Sequence, residues 1–154
     1  VWTMMSIVTP YLAVSQAFLD ALCRVAQSGV AVSLLVPYRL DHWYVFEVTR
    51  GFFKPLMDAG VKIYRYTPGM LHAKMICVDN EHAMVGSINL DNRSFYIQYE
   101  DGVWFTDQKA VMAVSNDIRS AMNRSHLIEK KDMSRHALLH TFLGLIFRIF
   151  APLM

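Results

Sequence analysis

The stretch from His72 to Asn89 reads HAKMICVDNEHAMVGSIN and contains the most specific pattern in this 154-residue chain. Written as H-x-K-x4-D-x6-G-S-x-N, the pattern fixes six residues within 18 positions: His72, Lys74, Asp79, Gly86, Ser87 and Asn89. Six residue types at fixed spacing seldom coincide by chance, which indicates a functional site. The pattern occurs once, because none of the other five histidines is followed by a lysine two positions later.

Four polar side chains of this stretch are predicted to converge. His72 and Lys74 lie two positions apart on an apolar strand, so their side chains point to the same face. Ser87 and Asn89 form a similar pair at the end of the next strand. The lysine and the amide can hold phosphoryl oxygens and stabilise charge that develops on them, while the histidine can attack phosphorus and form a covalent intermediate. The set therefore predicts a site for a phosphodiester.

Three further residues near these four are given supporting roles. Asp79 lies at a turn and on the opposite strand face from His72, so we interpret it as structural, together with Gly86. Glu100 is the preferred partner for His72, because a carboxylate on one ring nitrogen of a histidine fixes the tautomer of the other. Asp79 is therefore not expected to take part in the chemistry.

Residue types that bind metals or form disulfides are sparse. Cys23 and Cys77 are predicted to be buried free thiols, the first on an apolar helix face and the second in the motif strand, which fits a reducing compartment. His136 and His140 lie one helical turn apart, as a metal-binding pair would, but no third ligand accompanies them. No acidic cluster is available for a metal ion either. We therefore expect neither a metal nor a cofactor.

Apolar runs and helical patterns alternate along the chain and predict an α/β fold. Short apolar runs predict strands at Met5–Thr9, Val30–Val36, Val61–Tyr66, Ala73–Val78, Ala83–Gly86 and Val103–Phe105. Helical spacing predicts helices at Ser15–Ser28, Trp43–Ala59 and Lys109–Arg124. Ser15 is expected to start the first helix, and Pro55 to mark a kink or a fresh turn in the second. This alternation indicates a sandwich with a mixed or largely parallel sheet.

The motif resembles the HKD signature of the phospholipase D superfamily, and the chain continues from it as Leu90-Asp91-Asn92-Arg93-Ser94. Within that superfamily, nearly the whole chain resembles the C-terminal HKD half of bacterial cardiolipin synthases. The stretches that carry this resemblance include Thr9-Pro10-Tyr11, Leu34–Pro37, Gly51–Phe53 and Pro68–Lys74. The resemblance implies a phospholipase D-like sandwich, in which a mixed sheet is flanked by helices.

The resemblance also implies a reaction and roles for individual residues. Family members transfer a phosphatidyl group from one phosphatidylglycerol to another and release glycerol, with one motif histidine as nucleophile and the other as general acid. His72 would fill one of these roles, and Glu100 falls where members place an acidic residue that contacts the histidine. Asp41, His42 and Arg93 match positions near the mouth of the site, where contact with the substrate headgroup is expected; solvated loop positions are the alternative.

The chain departs from this family pattern in its length and at two positions beside the motif. Family members combine two HKD motifs in one active site and carry N-terminal transmembrane helices, whereas this chain has one motif. It resembles half of a longer protein or a truncated product, and the second motif is expected from a partner chain or a second copy. Tyr99 stands where phenylalanine is common, and Asp101 stands where an apolar residue is usual, next to the proposed partner of the histidine.

Charge and hydropathy divide the chain into a body and a tail. Residues 1–126 are predicted to form the HKD domain, and residues 127–154 a basic and apolar tail. From Arg119 onward six basic residues accompany two acidic ones, and nine residues between Leu138 and Phe150 are large and apolar. Such a tail is short for a spanning helix and fits an interfacial helix on an anionic membrane; a core or dimer-interface helix is the alternative. We expect peripheral attachment at the cytoplasmic face of the bacterial inner membrane.

Two other functions stay open from the sequence. The first is a phosphodiesterase of the nuclease type that acts as a homodimer. The apolar tail and a net charge of only +2 argue against a nucleic-acid partner, which favours a basic body. The second is an inactive, orphaned half-domain. The sequence favours a phosphatidyltransferase with phosphatidylglycerol, an anionic phospholipid, as its partner.

Overall fold

A computed structural model describes residues 1–38 and 43–134, and its elements confirm the predicted α/β class. The strands are β1 (Met4–Val8), β2 (Leu12–Ala13), β3 (Ala31–Pro37), β4 (Lys62–Tyr66), β5 (Met75–Val78), β6 (His82–Gly86), β7 (Leu90–Asp91), β8 (Gly102–Phe105) and β9 (Ser125–Leu127). The helices are α1 (Gln16–Gln27), α2 (Trp43–Gly51), α3 (Phe53–Asp58), α4 (Asn92–Tyr96), α5 (Gln108–Asn123) and α6 (Lys130–Ser134).

The central sheet has seven strands in the order β8-β6-β5-β1-β3-β4-β9, and it is mixed as predicted. β1, β3 and β4 are parallel, and the other pairings of this sheet are antiparallel. Val8 at the end of β1 pairs with Met75 at the start of β5. The ends of the three parallel strands and the start of β5 therefore meet at one side of the sheet, which we call the motif edge. The opposite side, where the turn after β5 lies, is the distal edge.

Helices on both faces of the sheet divide the core into two clusters. Neighbouring residues of β3 enter different clusters: Leu34 packs with residues of α1, α2 and α3, and Leu35 packs with residues of α5. Both side chains are fully buried, which contributes about 1.5–3 kcal/mol for each. A strand that is buried on both faces reads as a continuous apolar run. This explains why the predicted strand Val30–Val36 locates β3 to within one residue.

α2 and α3 replace the single helix predicted over 43–59. The interruption falls at Phe52, with φ −88° and ψ −13°, and not at Pro55. The N–H of Phe52 donates to the carbonyl oxygen of Thr49 at 3.2 Å, which makes a tighter turn than an α-helix. This turn lets Phe52 and Phe53, adjacent in sequence, both enter the core at 1% exposure. Pro55 is the third residue of α3, where a missing N–H costs no intrahelical hydrogen bond.

The sequence does not predict five short elements, because each spans five residues or fewer and shows no recognisable hydrophobic period. These elements are β2, β7, α4, β9 and α6. β2 and β7 form a parallel pair that joins the segment after β1 to the segment after the motif, with Leu12 opposite Leu90. β9 adds a strand beside β4, and the following Ile128 is buried. The sheet therefore continues past residue 126, while the division into a domain and a tail stays a prediction.

The predicted tail and the two cysteines have different outcomes. The apolar part of the predicted tail, which would form the interfacial helix, lies outside the described residues, as does the pair of His136 and His140. Over the ranges that the structure describes, no helix combines the length and hydropathy needed to cross a bilayer. Cys77 is a buried free thiol as predicted, but Cys23 is only partly buried, because it lies on a flank of α1 beside Pro55 of α3.

Asp79 and Asn80 form the tight turn between β5 and β6 at the distal edge. Both have positive φ, 52° and 57°, a conformation that aspartate and asparagine adopt more readily than most residues with a side chain. The Asp79 carboxylate accepts hydrogen bonds of 2.6–3.1 Å from the N–H groups of Thr3 and Met4 and from the hydroxyl of Thr3. The side chain therefore ties the turn to the segment that enters β1.

We expect Asp79→Asn to unfold at a lower temperature than the wild type at neutral pH, because an amide places N–H groups against N–H donors. The hydroxyl of Thr3 and the N–H groups hold the pKa of Asp79 below its usual value. A carboxylate with a lowered pKa stabilises the fold above its unfolded-state pKa, about 3.9, and loses this contribution as the pH falls through its folded-state pKa.

Thermal unfolding followed across the acid range tests this prediction. The difference between the wild type and Asp79→Asn should be largest at neutral pH and narrow below about pH 4. Asp117→Asn is the control, because Asp117 is an exposed carboxylate on α5. A difference that persists unchanged in acid would contradict the prediction.

Candidate functional site

His72 and Lys74 lie at the motif edge, in the extended segment that leads into β5. β5 begins at Met75, two residues later than the strand predicted over 73–78, because pairing stops where Val8 ends β1; both residues therefore precede the strand. The Nζ of Lys74 is 2.9 Å from Nδ1 of His72 and 3.0 Å from the carbonyl oxygen of the same residue. The imidazole and the ammonium therefore converge, and His72 is exposed to solvent.

The ammonium of Lys74 is partly buried, and this burial lowers its pKa. The carboxylates of Glu100 and Asp91 act in the opposite direction and favour the charged form. A charge that is partly removed from water interacts more strongly with an anion, since less of its field is screened. Lys74 is therefore suited to hold a phosphoryl oxygen beside His72.

Ser87 directly follows β6 and is held against the segment that leads into β8. Its N–H donates to the carbonyl oxygen of Asp101 at 2.8 Å, and the N–H of Asp101 donates to the Ser87 hydroxyl at 3.0 Å. The hydroxyl in turn donates to the carboxylate of Glu100. The hydroxyls of Ser87 and Ser94 hold the pKa of Glu100 below its usual value. Glu100 is consequently ionised at neutral pH and fixes the direction of the Ser87 hydroxyl.

Glu100 is the predicted partner of His72, but the structure places it on two serines. Its carboxylate oxygens accept hydrogen bonds from Ser87 and from Ser94, the latter at 2.8 Å. The described contacts of His72 are those with the neighbouring lysine and an edge-to-face contact with the ring of Tyr11, at 6.2 Å between centroids. The physical reason is α4, which brings a second hydroxyl to Glu100 that residue spacing alone does not reveal.

Ser94 is a site residue that the sequence analysis misses. It is buried on α4, where its hydroxyl accepts the N–H of Asn89 at 3.2 Å and donates to Glu100. The carboxylate of Asp91 caps α4 by accepting the N–H of Ser94 at 2.6 Å. The Asp-x-x-Ser spacing is typical of a capped helix start, and Ser94 could have been identified from it. Ser94 therefore sets the positions of both the asparagine backbone and the glutamate.

Asn89 has unused hydrogen-bonding capacity. Its carboxamide oxygen is buried and meets no donor among the residues that the structure describes. A buried polar atom without a partner costs free energy, about 1–3 kcal/mol. This oxygen needs a donor, such as a hydroxyl of a bound substrate, because the oxygens of a phosphodiester only accept hydrogen bonds. The predicted role of Asn89 in binding phosphoryl oxygens therefore falls to the N–H groups of its amide.

Thr9 is a second site residue that the sequence does not single out. It is 1% exposed at the end of β1. Its hydroxyl donates to the carbonyl oxygen of Tyr11 at 2.7 Å and accepts the N–H of Leu90 at 3.2 Å. One buried hydroxyl thus joins the loop that carries the tyrosine beside His72 to the segment that carries Asn89.

Gly86 lies at a close approach of β6 and β8. It pairs with Gly102, and a Cβ atom added at Gly86 would lie 2.2 Å from the carbonyl oxygen of Asp101. The residue therefore has no room for a side chain. Its role is to let the backbone that carries Ser87 contact the backbone that carries Glu100 and Asp101.

The predicted substrate-contact residues are described only in part. Arg93 is exposed on α4, at the motif edge. With the side-chain amide of Gln98 oriented to satisfy its neighbours, the amide accepts from the Arg93 guanidinium at 3.0 and 3.2 Å and donates to Glu100 at 3.2 Å. Asp41 and His42 lie outside the described residues.

The arrangement at the motif edge combines an exposed imidazole, an ammonium, an oriented hydroxyl and an amide that can donate hydrogen bonds. Such groups can bind the phosphoryl oxygens of a phosphodiester and present a nitrogen nucleophile to phosphorus. Along residues 1–38 and 43–134, the histidine, cysteine and acidic side chains form no group of three or more that could hold a metal ion.

Comparisons with known sequences show the family of the chain. The family described as "Cardiolipin synthase, PLD-like domain" matches residues 3–122. Cardiolipin synthase A of Buchnera aphidicola subsp. Schizaphis graminum is 36% identical over 146 residues, which cover 95% of this chain and 30% of that protein. Cardiolipin synthase of Halalkalibacterium halodurans is 36% identical over 148 residues, 96% of this chain and 29% of that protein. The chain thus spans about 30% of the length of these curated relatives.

Solved structures share the fold. Nuc from Salmonella typhimurium, a phospholipase D family member, superposes with a TM-score of 0.72 at 17% identity, covering 83% of each chain. Phosphatidylserine synthase of Haemophilus influenzae superposes with a TM-score of 0.71 at 14% identity, covering 98% of this chain and 39% of that one. These likenesses confirm the phospholipase D-like architecture.

Proposed function

Because the chain belongs to the family described as "Cardiolipin synthase, PLD-like domain", we propose that it supplies one half of a phosphatidyltransferase. This enzyme makes cardiolipin from two phosphatidylglycerol molecules. The observation that carries the proposal is the His72 imidazole with the Lys74 ammonium 2.9 Å away, at an exposed edge of the sheet. Phosphodiester transfer through a phosphohistidine can use this pairing, in which a nitrogen atom attacks phosphorus and a cation stabilises the phosphoryl oxygens.

In the first step a ring nitrogen of His72 attacks the phosphorus of the donor lipid. The P–N bond forms, the P–O bond to the terminal glycerol breaks, and a general acid gives its proton to the departing oxygen. Lys74 and Asn89 bind the phosphoryl oxygens as negative charge builds on them. The oriented hydroxyl of Ser87 also lies within this group. The products are glycerol and a phosphatidyl group on the histidine.

In the second step the free hydroxyl of another phosphatidylglycerol attacks the phosphohistidine. The P–O bond forms, the P–N bond breaks, and the group that protonated glycerol now accepts the proton of the attacking hydroxyl. The balance is two phosphatidylglycerols converted to one cardiolipin and one glycerol. Each step is a displacement at phosphorus coupled to a proton transfer, so the proposal includes no cofactor.

The proposal assigns the acid–base role to a second HKD histidine, and the two histidines could exchange roles. Residues 1–154 contain one motif histidine, His72, so the second belongs to another HKD domain, for which we propose a partner chain or a second copy of this chain. The lipid substrate implies work at a membrane surface, and we propose the cytoplasmic face of the bacterial inner membrane, with residues 127–154 as a peripheral attachment. We propose no nucleic-acid partner.

Product analysis with labelled phosphatidylglycerol tests the function. Vesicles that carry one label on the phosphatidyl group and another on the terminal glycerol would be incubated with the chain. We expect the phosphatidyl label of both lipids in cardiolipin, and the glycerol label divided equally between the glycerol bridge of cardiolipin and free glycerol. Phosphatidic acid in place of cardiolipin would identify a hydrolase, and turnover of a nucleic acid but not of lipid would identify the nuclease-type alternative.

A second arm of this experiment tests the need for a partner. The chain would be assayed over a range of concentrations that crosses the one at which it dimerises. Cardiolipin formation that rises with the dimer fraction would support a site assembled from two copies. A folded chain that never transfers the label, either alone or with an added second HKD domain, would contradict the proposal.

A further inference from the structure

Large apolar side chains and arginines surround the site at the motif edge. We propose that this rim, and not only the tail, is the surface that contacts an anionic bilayer during the reaction. The inference rests on the proposed function and names the surface through which that site reaches its lipid. The docking rim consists of Tyr38, Met70, Arg93, Tyr96, Ile97, Tyr99 and Arg124.

The apolar side chains of the rim are more exposed than is usual for a surface that contacts only water. Tyr96, Ile97 and Tyr99 are 74%, 62% and 107% exposed, and Met70 and Tyr38 are 56% and 47% exposed. Single exposed apolar residues are normal, but a cluster of them indicates contact with a partner or a membrane. The clustering follows from the topology, as the positions of these residues in the chain show.

The topology places each apolar rim residue at the motif edge. Tyr38 directly follows the end of β3, and its N–H donates to the carbonyl oxygen of Tyr66 at the end of β4. Met70 stands two positions before His72. Residues 96–99 belong to the excursion between β6 and β8, whose two ends meet where Gly86 pairs with Gly102. The same excursion carries Ser87, Asn89 and Glu100, so rim and site share one stretch of chain.

The chemistry of the rim fits the headgroup layer of a membrane. Tyrosine concentrates at membrane interfaces because its ring is apolar and its hydroxyl is polar. Arg93 and Arg124 are exposed, and the guanidinium of Arg124 lies 5.6 Å from the centre of the Tyr66 ring at the end of β4. Of the nearby carboxylates, Asp91 is buried in the cap of α4, and Glu100 is engaged by two serines, whereas Asp101 is exposed. The Glu100 carboxylate keeps its negative charge beside the two serines, so the rim fits anionic lipid through its two exposed guanidinium groups, which can pair with lipid phosphates.

The position of the last described helix gives a separate argument that the docking rim contacts the bilayer. α6, the last described element, lies at the distal edge, where Lys130 is 3.3 Å from Asp58 at the end of α3. The strands between the two edges are about five residues long, or roughly 16 Å. If only the distal edge were attached, His72 would lie roughly 16 Å above the bilayer surface. The phosphates that His72 must reach, however, lie in the headgroup layer. Reaction at a bilayer therefore requires the motif edge to face it.

Co-sedimentation with vesicles tests the docking rim without reference to catalysis. Ile97→Asp and Tyr99→Asp each place a carboxylate on the rim, and the full chain would be used throughout. Trp2→Asp is the matched control, because Trp2 is 53% exposed and lies at the distal edge, ahead of β1. Binding would be measured on vesicles of phosphatidylglycerol with phosphatidylcholine and on vesicles of phosphatidylcholine alone.

We expect each rim variant to bind the anionic vesicles about tenfold more weakly than the wild type, since it loses apolar contact and adds like charge. Trp2→Asp should bind as the wild type does. Unchanged binding by both rim variants would overturn the inference, as would an equal loss in the Trp2 control. Rim variants that keep vesicle binding but lose self-association in sedimentation velocity would also overturn it and assign the rim to a protein partner. Vesicle binding through the rim without cardiolipin formation would instead count against the proposed function alone.

Discussion

Replacement of His72 by alanine is expected to lower the rate of phosphatidyl transfer by about 10³–10⁶-fold, because the nucleophile or the acid–base group of both steps is then missing. The fold should be unaffected. His72 is exposed, precedes β5 and takes no part in the sheet pairing, and surface substitutions of this kind change the free energy of unfolding by only about 0.5 kcal/mol or less. The expected result is therefore a folded, lipid-binding and inactive chain.

The measurement is the initial rate of cardiolipin formation by the wild type, by His72→Ala and by His126→Ala. His126 is the matched control, because it is an exposed histidine on β9, with Nε2 3.3 Å from Asp132. If His72 acts as the nucleophile, brief incubation with labelled donor lipid should place a base-stable, acid-labile label on the wild type and on His126→Ala only. Wild-type turnover by His72→Ala would contradict the proposed mechanism, whichever role the histidine has.

The Gly86→Ala variant is expected to lose about 10²-fold in transfer rate, although residue 86 touches no reacting atom. The added Cβ would lie 2.2 Å from the carbonyl oxygen of Asp101 and 2.7 Å from the Cα of Gly102, so β6 and β8 must separate there. Separation breaks the backbone hydrogen bond from Ser87 to Asp101 and shifts Glu100. A displacement of about 1 Å at a catalytic group costs about 10²-fold in rate.

Stability should fall as well, by about 1–3 kcal/mol, as for other forced insertions into packed structure. Gly69→Ala is the control, because a Cβ at Gly69 meets no atom within 4 Å and its φ is not positive. Transfer rates and thermal unfolding of the two variants would be compared. If Gly86→Ala keeps the wild-type rate while Gly69→Ala does not, the close approach of β6 and β8 is not what orders the site.

The parts of the fold that follow from residue pattern could be predicted. β3 and the β5–β6 hairpin could be predicted because apolar runs bounded by proline or polar turns have few interpretations other than strands. Ser15 is confirmed as the N-cap of α1, with its hydroxyl accepting the N–H of Phe18 at 3.3 Å. The break at Phe52 could not be predicted, because it depends on two adjacent rings that fit the core together.

The site divides in the same way. The fixed spacing of the motif predicted that His72 and Lys74 converge, and the structure brings their side chains into contact. The partners of Glu100 could not be predicted, since they depend on α4, a helix of five residues. The role of Thr9 could not be predicted either. Its hydroxyl accepts the N–H of Leu90, which is distant in the sequence, and a threonine beside a proline forms no distinctive pattern.

The central position of β1 has a consequence for the order in which the chain folds. β1 is the first strand in the sequence, yet its neighbours are β3 and β5, and the Thr9 hydroxyl meets the N–H of a residue 81 positions later. Contacts between residues so far apart close large loops and form slowly. β1, α1 and β3 lie close together in the sequence and can associate early during synthesis. The groups of the site can gather only after residue 101 is available, so the cluster around Leu34 can begin to form before the site does, whereas the cluster around Leu35 waits for α5.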